Sequence, residues 1–569
     1  MAKHYVLLTY KEAFGGERPT TEDFRSRLAK LPKSRLVILC GVVNAMLRPK
    51  DDRQQFDIPS HDGLVKALLP QQLAAKLTNR AKEIPPRVVF SRQGTLFVAK
   101  EALRFANDDG SLPMPNASLG ELFLMANDFM HFENLDAGTT DLDKFVLTAA
   151  HMIPVQEASD DRVRHKMLRA FQMTSEAALE PHREGGLFFD IPKLFEQVVG
   201  ISLGDFYALV LAALSRFATF SPLQYMQDPL SFVLQEGWFA STTVQAISIT
   251  AFFEYVSASE AAFEPLIAAS PARSDFTAFR KKPLLQLPGG LTLIDLWFLA
   301  EKYEVGPFWS ILKSLEKKDG DQFSSFWGLL FERYMSNLLA SSSKDGYNAI
   351  YATPKFEASG EEVCDVIIVC DRSVVFIELK GATFSAGAKY SGDVGRLRAE
   401  LESKLVQSSD REQAVNQLAR NIHLVFGPQK AAVHGIDLGM INVVYPLVIT
   451  RDSIGAVVGV NAFLDHFFKT AINRDELAVS VAPLICMSSD NAEALSAYLN
   501  ETTLAAILKS HIAANKSLGR KHIISPLFTV PNRELDKFGE RQIPNQQAQW
   551  NALMTEALAR LGLREPSNV

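Results

Sequence analysis

The sequence predicts a mixed α/β domain in the C-terminal half, preceded by a large, mainly α-helical N-terminal region. Three observations carry this expectation. Through the first three hundred residues, apolar side chains recur at three- and four-residue spacing, the period of a helix with one buried face. After a charged, glycine-containing stretch, EKKDGDQ at 316–322, the pattern changes to short Val, Ile and Phe runs. Those runs come first as neighbouring strands and then alternate with helices, the order of a mixed central sheet flanked by helices.

In the N-terminal region, 1–315, the segments DFRSRLAKL, DGLVKALLPQQLAAKLTNRAKEI, IPKLFEQVV and GDFYALVLAALSRFATF read as helices. RVVFSRQGTLFVAKEALRF reads as a hairpin turning at Gln93-Gly94 and then a helix. PLLQLPGGLTLID reads as a second hairpin, turning at Pro288-Gly289-Gly290. The stretch 316–322 serves as the boundary. The second domain, 321–510, opens with a helix (FSSFWGLLFERYMSNLLAS) and a strand near YNAIYATP. Two strands follow in CDVIIVCDRSVVFIELKG, then a long helix over 394–426. INVVYPLVIT reads as strand, NAFLDHFFKTAI as helix, VAPLICMSS as strand and NAEALSAYL as helix. Residues 511–569 form a polar C-terminal extension with helix near 547–561.

Composition narrows the class. Of 569 residues, 47% are hydrophobic and 22% charged, which fits a globular chain and not a disordered one. A net charge of -6 excludes a globally basic surface, so any nucleic-acid contact must be a local patch. Cys40, Cys364, Cys370 and Cys486 form no CxxC pair and no zinc spacing, which points to reduced thiols. The opening MAKHYVLLTYKEAFGG lacks a signal peptide's apolar core. No apolar run reaches the roughly 18–20 residues of a membrane span. The expectation is a soluble, cytoplasmic protein with no membrane partner.

Within the paired strands three charges interrupt the apolar runs: Asp365, Glu378 and Lys380. Strand alternation puts Glu378 and Lys380 on one face and Ile377 and Leu379 on the other. A hairpin closed at Asp371-Arg372 pairs residues whose numbers sum to 743, which sets Asp365 opposite Glu378. A four-residue loop leaves that sum unchanged, and a bulge breaks it. Their Cβ atoms would then lie about 4.5–5.5 Å apart. Two opposed carboxylates on an apolar sheet must be protonated, exposed or bridged by a cation. Oxygen-only ligands suit Mg²⁺ or Mn²⁺, which activate water and polarise phosphoryl oxygens. Lys380, on the same face, would orient or deprotonate that water or stabilise a pentavalent phosphate.

The pattern Asp365-x12-Glu378-x-Lys380 resembles the PD-(D/E)XK nuclease superfamily, whose fold is the restriction-endonuclease-like fold. The resemblance covers residues 321–500; Cys364 stands where the family name has proline. It implies that Glu332, the acid in FWGLLFERYMSNLL, lies near the metal. It also implies that Gln417, in EQAVNQLARNI with Gln413 one turn before it, faces the site. Metal ligands would be Asp365, Glu378 and the Leu379 carbonyl, with Mg²⁺ or Mn²⁺ as cofactor. The expected order is helix, three strands, helix, strand. The implied activity is metal-dependent hydrolysis of phosphodiesters, in DNA more than RNA, in restriction, phage defence or repair. The N-terminal region would supply recognition, regulation or assembly, with a partner protein or a second copy of the chain. In the loop after the strand, GATFSAGAKYSGDVG, Lys389 and Tyr390 would touch a substrate backbone. The alternative reading is a non-catalytic scaffold of the same fold that binds nucleic acid or a protein.

Other motifs read as structure. GISLG at 200–204 matches a nucleophile elbow formally, but a helix precedes it, so Ser202 reads as a helix cap with Asp205. His131, His151 and His165 have no metal-ligand spacing. No Walker motif is present. GRKHII at 519–524 is either a phosphate-binding patch or a solvated face.

Overall fold

The computed structural model describes residues 5–48, 57–83, 85–130, 140–158, 163–183, 186–218, 228–343, 346–408, 411–518, 523, 526–530, 532–538, 541, 543 and 545–563. His131 and all but one residue of the basic cluster at 519–524 fall outside them.

The described part of the N-terminal region is mostly helical, with long elements at Lys33–Met46, Arg92–Phe105, Asn116–Met130, Leu203–Ala218 and Leu296–Ser314. The hairpin at 288–290 forms: Leu287 pairs with Gly290 around a two-residue Pro288-Gly289 turn, with Gly289 at φ 85°. The expected hairpin at Gln93-Gly94 does not form. Ser91 caps a helix instead, its Oγ accepting from the Gly94 N–H at 3.1 Å, and only Arg87–Val88 is strand, parallel to Val6–Leu7. Glycine here serves packing and not a turn, because a Cβ at 94 would meet Asn127 Oδ1 at 3.0 Å. Ser202 acts as the helix cap expected of it, accepting from the Asp205 N–H at 3.1 Å. Among the described residues no single helix is long and apolar enough to cross a membrane. The apolar pair Ile191–Val199 and Leu203–Ala218 is bent by 70° at the break between them.

The second half is built on one mixed sheet. Helix α1 (Lys317–Ser341) leads into strands β1 (Ala349–Ala352), β2 (Val366–Cys370) and β3 (Ser373–Lys380), which run antiparallel in turn. Helix α2 (Ala414–Phe426) then crosses over to β4 (Val443–Thr450), which lies parallel to β3 along its whole length, from Ser373↔Val443 to Lys380↔Thr450. Helix α3 (Val460–Ala471) leads to β5 (Ser480–Val481) and β6 (Ile485–Ser488), which share the far edge of β4, both parallel. Helix α4 (Ser489–Ser496) closes the unit.

Both faces of this sheet are covered, which is why β2, β3 and β4 are nearly continuous apolar runs. Val366, Ile368, Val375, Ile377, Leu379, Leu447 and Ile449 join one core with the N-terminal helices. Ile367, Val374, Phe376 and Val448 face the other way, into a core shared with α2 and α3. On β3 that second series continues past Phe376 as Glu378 and Lys380.

The stretch 316–322 begins where two helices meet: Ser314 ends one, Glu316 is the N-cap of α1, and α1 runs through the rest of the stretch. The break expected after 510 also falls inside a helix, Leu504–Ser517, because its apolar face belongs to the same core. The long helix over 394–426 is interrupted. It forms as Val394–Leu401, a π-helical turn at Glu402–Val406, a short antiparallel pair (Gln407–Ser408 with Arg411–Glu412) and α2. The extension ends in the helix Gln546–Arg560, whose Arg560 reaches Asp205 at 3.4 Å.

Helix α1 crosses the end of β3 at very short range. A Cβ on Gly381 would stand 2.7 Å from the Gly328 Cα, whereas a Cβ on Gly328 would meet nothing within 4 Å. Gly381→Ala is therefore expected to destabilise by about 1–3 kcal/mol, as overpacking does. Gly328→Ala should stabilise by about 0.5–1 kcal/mol through helix propensity. Denaturant unfolding of the two variants checks the contrast.

Candidate active site

The β2–β3 hairpin closes at Asp371-Arg372, with Asp371 in the left-handed region at φ 53°. The register pairs Cys370 with Ser373 and Val366 with Ile377, so one further step sets Asp365 opposite Glu378. Asp365 lies just beyond the ladder. Its carboxylate accepts from the Leu379 N–H at 2.5 Å, replacing the strand bond that would have come next. Its carbonyl accepts from the Thr353 N–H at 2.8 Å. The acid is thus held by backbone on both sides.

Three of the other expected residues meet around it. The Lys380 ammonium donates to Glu378 Oε2 at 3.0 Å and to Gln417 Oε1 at 3.1 Å. Gln417 comes from α2, whose buried Val415, Leu418 and Ile422 lock the helix onto the sheet. Gln413 does not join it; it is the N-cap residue of α2 and reaches Ser408. Glu332, one turn beyond Gly328 on α1, forms no direct contact with the group but lies within electrostatic range of Asp365, Glu378 and Lys380. No lysine or arginine among the described residues pairs with Glu332.

Sequence reasoning missed two contributors. Glu362 shares a carboxyl hydrogen bond with Asp365. Its signal was an acid three residues ahead of the motif acid, in EEVCD. Asn421, one turn beyond Gln417 and buried, donates to the Val363 carbonyl at 2.6 Å and so ties α2 to the approach to Asp365. Its signal was an amide on an otherwise apolar helix face.

Charge dominates the chemistry. Glu378 is 6% exposed. Burial and the nearby Asp365 push its carboxyl up to about 7, although Lys380 pulls the other way. Burial and Asp365 push Glu332 up to about 8, and Glu362 goes to about 7 for the same reasons. Asp365 is raised by burial. Burial opposes the charge on Lys380, but Glu378 and Asp365 more than offset it, so its pKa is raised and it stays an ammonium. Among the described residues, Lys380 is thus the cation bonded within a group of four carboxyls, with Lys355 acting on Glu362 from further off. The donors are all oxygens and carry excess negative charge, which fits Mg²⁺ or Mn²⁺. Among the described residues no three His, Cys, Asp or Glu side chains stand converged on one point; Lys380 compensates Glu378 instead.

Lys389 and Tyr390 are not at this site. Both are buried: Lys389 pairs with Glu157 and with Asp452 at 3.0 Å, and the Tyr390 hydroxyl donates to Glu157 at 2.5 Å. Glu157 also pairs with Arg280 at 2.7 Å. These residues anchor the loop after β3 to the N-terminal region.

Comparisons with known protein families, with curated proteins and with solved structures return no match for this chain.

The raised carboxyls carry a stability signature. Folding keeps their protons to about 7–8, whereas the unfolded chain releases them near 4.5. The folded state then binds more protons across that window, so stability is greatest below about pH 4.5 in this respect and falls as pH rises towards 8. Glu332→Gln should flatten that fall. Thermal melts between pH 5 and 8, in chelator, check it.

Proposed function

We propose that this chain is a divalent-metal-dependent nuclease, cleaving phosphodiester bonds in DNA more readily than in RNA. The observation that carries the proposal is the convergence of Asp365, Glu378, Lys380 and Gln417 at the open end of the antiparallel β2–β3 hairpin, with Glu332 and Glu362 in range. Four carboxyls around one lysine are costly unless the charge is used.

In this reading Asp365 and Glu378 hold Mg²⁺ or Mn²⁺, with the Leu379 carbonyl as a further ligand. The bound ion supplies Lewis acidity and a water of lowered pKa. With Glu378 serving as a metal ligand, the Lys380 ammonium would be available to the phosphate oxygens, where it would stabilise the charge that develops. Its raised pKa favours this electrostatic role over proton abstraction. Gln417 holds the lysine in place, and Glu332 takes up a proton or orients water at the rim. The N-terminal region would recognise substrate, regulate or assemble, in restriction, phage defence or repair.

The alternative is a non-catalytic scaffold of the same architecture. The Lys380–Glu378 pair, already self-compensated, favours it. Against it stands the cost of burying Asp365, Glu362 and Glu332 together beside that pair, where burial and mutual repulsion hold protons on the two glutamates well above their ordinary range.

A cleavage assay on labelled duplex DNA, plasmid, single-stranded DNA and RNA separates the two. With Mg²⁺ or Mn²⁺ and without chelator, the wild type is expected to cut. Glu378→Ala and Lys380→Ala should each lose at least ~10²-fold in rate. Gln417→Ala should lose about 10–100-fold, as an orienting partner does. Cutting that survives both Glu378→Ala and Lys380→Ala contradicts the assignment, and no cutting together with no metal binding supports the scaffold.

A further inference from the structure

A cavity of about 690 Å³ lies between the N-terminal region and the C-terminal ends of β3 and β4. That size falls within the roughly 300–1,000 Å³ of small-molecule sites. Its walls come from the helix Leu296–Ser314, the segment 277–282, the loop after β3 and the residues after β4.

Among the described residues ten lysines and arginines line it against five acids, and the acids are already used. Glu157 and Glu301 pair with Arg280, Glu304 and Asp490 with Arg169, and Asp452 with Lys389. Among the described residues no carboxylate comes within ion-pair distance of Lys281, Lys302, Lys313 or Arg451. Arg451 is 7% exposed, and among the described residues its Nε has no hydrogen-bond partner. Its guanidinium lies over the Phe308 and Trp327 rings at 5.2 and 5.5 Å, and Glu304 and Asp452 act on it only from beyond ion-pair distance, which leaves a buried cation short of a direct anion. Burial and the neighbouring Lys282, Lys313 and Lys281 push the Lys302 ammonium down to about 7, although Glu301 pulls the other way, as expected where cations outnumber nearby acids.

The remaining walls are aromatic. Trp297, Trp309 and Tyr255 line the same space. Lys302 sits 4.3 Å above the Tyr255 ring, and Trp297 Nε1 is a buried donor with no partner among the described residues. Unpaired cations and an unpaired N–H beside flat rings suit a ligand with a phosphate at one end and a planar heterocycle at the other.

We propose that this cavity is a binding site for a free nucleotide. Its phosphates are received by Lys302, Lys313, Lys281 and Arg451, and its base lies against Trp297 and Trp309. The site is separate from the carboxylate cluster but coupled to it. The Arg451 N–H donates to the Lys380 carbonyl at 2.9 Å, and the loop that lines the cavity begins at Gly381. The binding itself does not depend on the nuclease reading.

Calorimetric titration of the full-length protein with ATP, GTP, AMP, adenosine and inorganic phosphate tests this. A nucleotide is expected to bind with Kd on the order of 1–100 μM, at least ~10-fold tighter than adenosine or phosphate alone. Lys302→Glu and Lys313→Glu, at half-buried and exposed positions, should each weaken it at least ~10-fold while leaving the melting temperature near that of wild type. Trp309→Ala should weaken it too, and Glu378→Ala should leave it unchanged. Absence of binding by all the nucleotides at about 1 mM overturns the proposal. So do phosphate binding as tight as nucleotide, indifference to both charge reversals, or displacement of nucleotide by a dT12 oligomer, which would make the cavity part of a polymer path.

Discussion

The buried carboxylate of Glu378 sets the terms for the structure around it. It stands at the end of an apolar strand that is covered on both faces and flanked by β2 and β4. Such a group persists only with compensation. The Lys380 ammonium provides it at 3.0 Å, and Gln417 holds that ammonium from the opposite side. Placing Gln417 requires α2 to lie against the sheet, and Asn421 fastens the same helix to the chain before Asp365. Placing Glu332 requires α1 to pass over the strand end, which the lack of a Cβ at Gly381 allows. Each neighbouring element is thereby fixed by what surrounds one charge.

The N-terminal region is not a separate body hung on the sheet. Its helices share a core with one sheet face, and a buried polar network ties it to the loop after β3. Glu157 carries that network, meeting Arg280, Lys389, Tyr390 and, at 2.7 Å, the Ser453 hydroxyl. The segments joined by Glu157 are those that leave the strand ends carrying Lys380 and Thr450. The cavity beside them lies a few covalent links from the carboxylate cluster.

Much of the sheet was legible in the sequence because its cues are local. The two-residue turn at Asp371-Arg372 fixed which residues face each other, so the opposition of Asp365 and Glu378 followed from counting. The Pro288-Gly289 turn was legible for the same reason. The failures share a cause as well. At Gln93-Gly94 a turn-like pair sits in the first turn of a capped helix, where glycine answers to Asn127 and not to the backbone. The segment 394–426 keeps helical spacing through a π turn and a short strand pair that no periodicity announces. Lys389 and Tyr390 looked available because their partners, Glu157 and Asp452, are distant in sequence. Glu362, Asn421 and the cation-lined cavity depend on contacts between remote segments and left only faint local signals.

The central claim is that the excess negative charge around Lys380 is there to hold a divalent cation. Calorimetric titration of Mn²⁺ into the wild type and Glu378→Gln, in buffers of different ionisation enthalpy, tests it most directly. The account predicts one site in the wild type. Its binding should release protons at pH 7, because Glu378 and Glu362 are held up to about 7 and Glu332 to about 8. Glu378→Gln should abolish it. Binding without proton release, equal binding in Glu378→Gln, or no binding in the wild type would contradict the account.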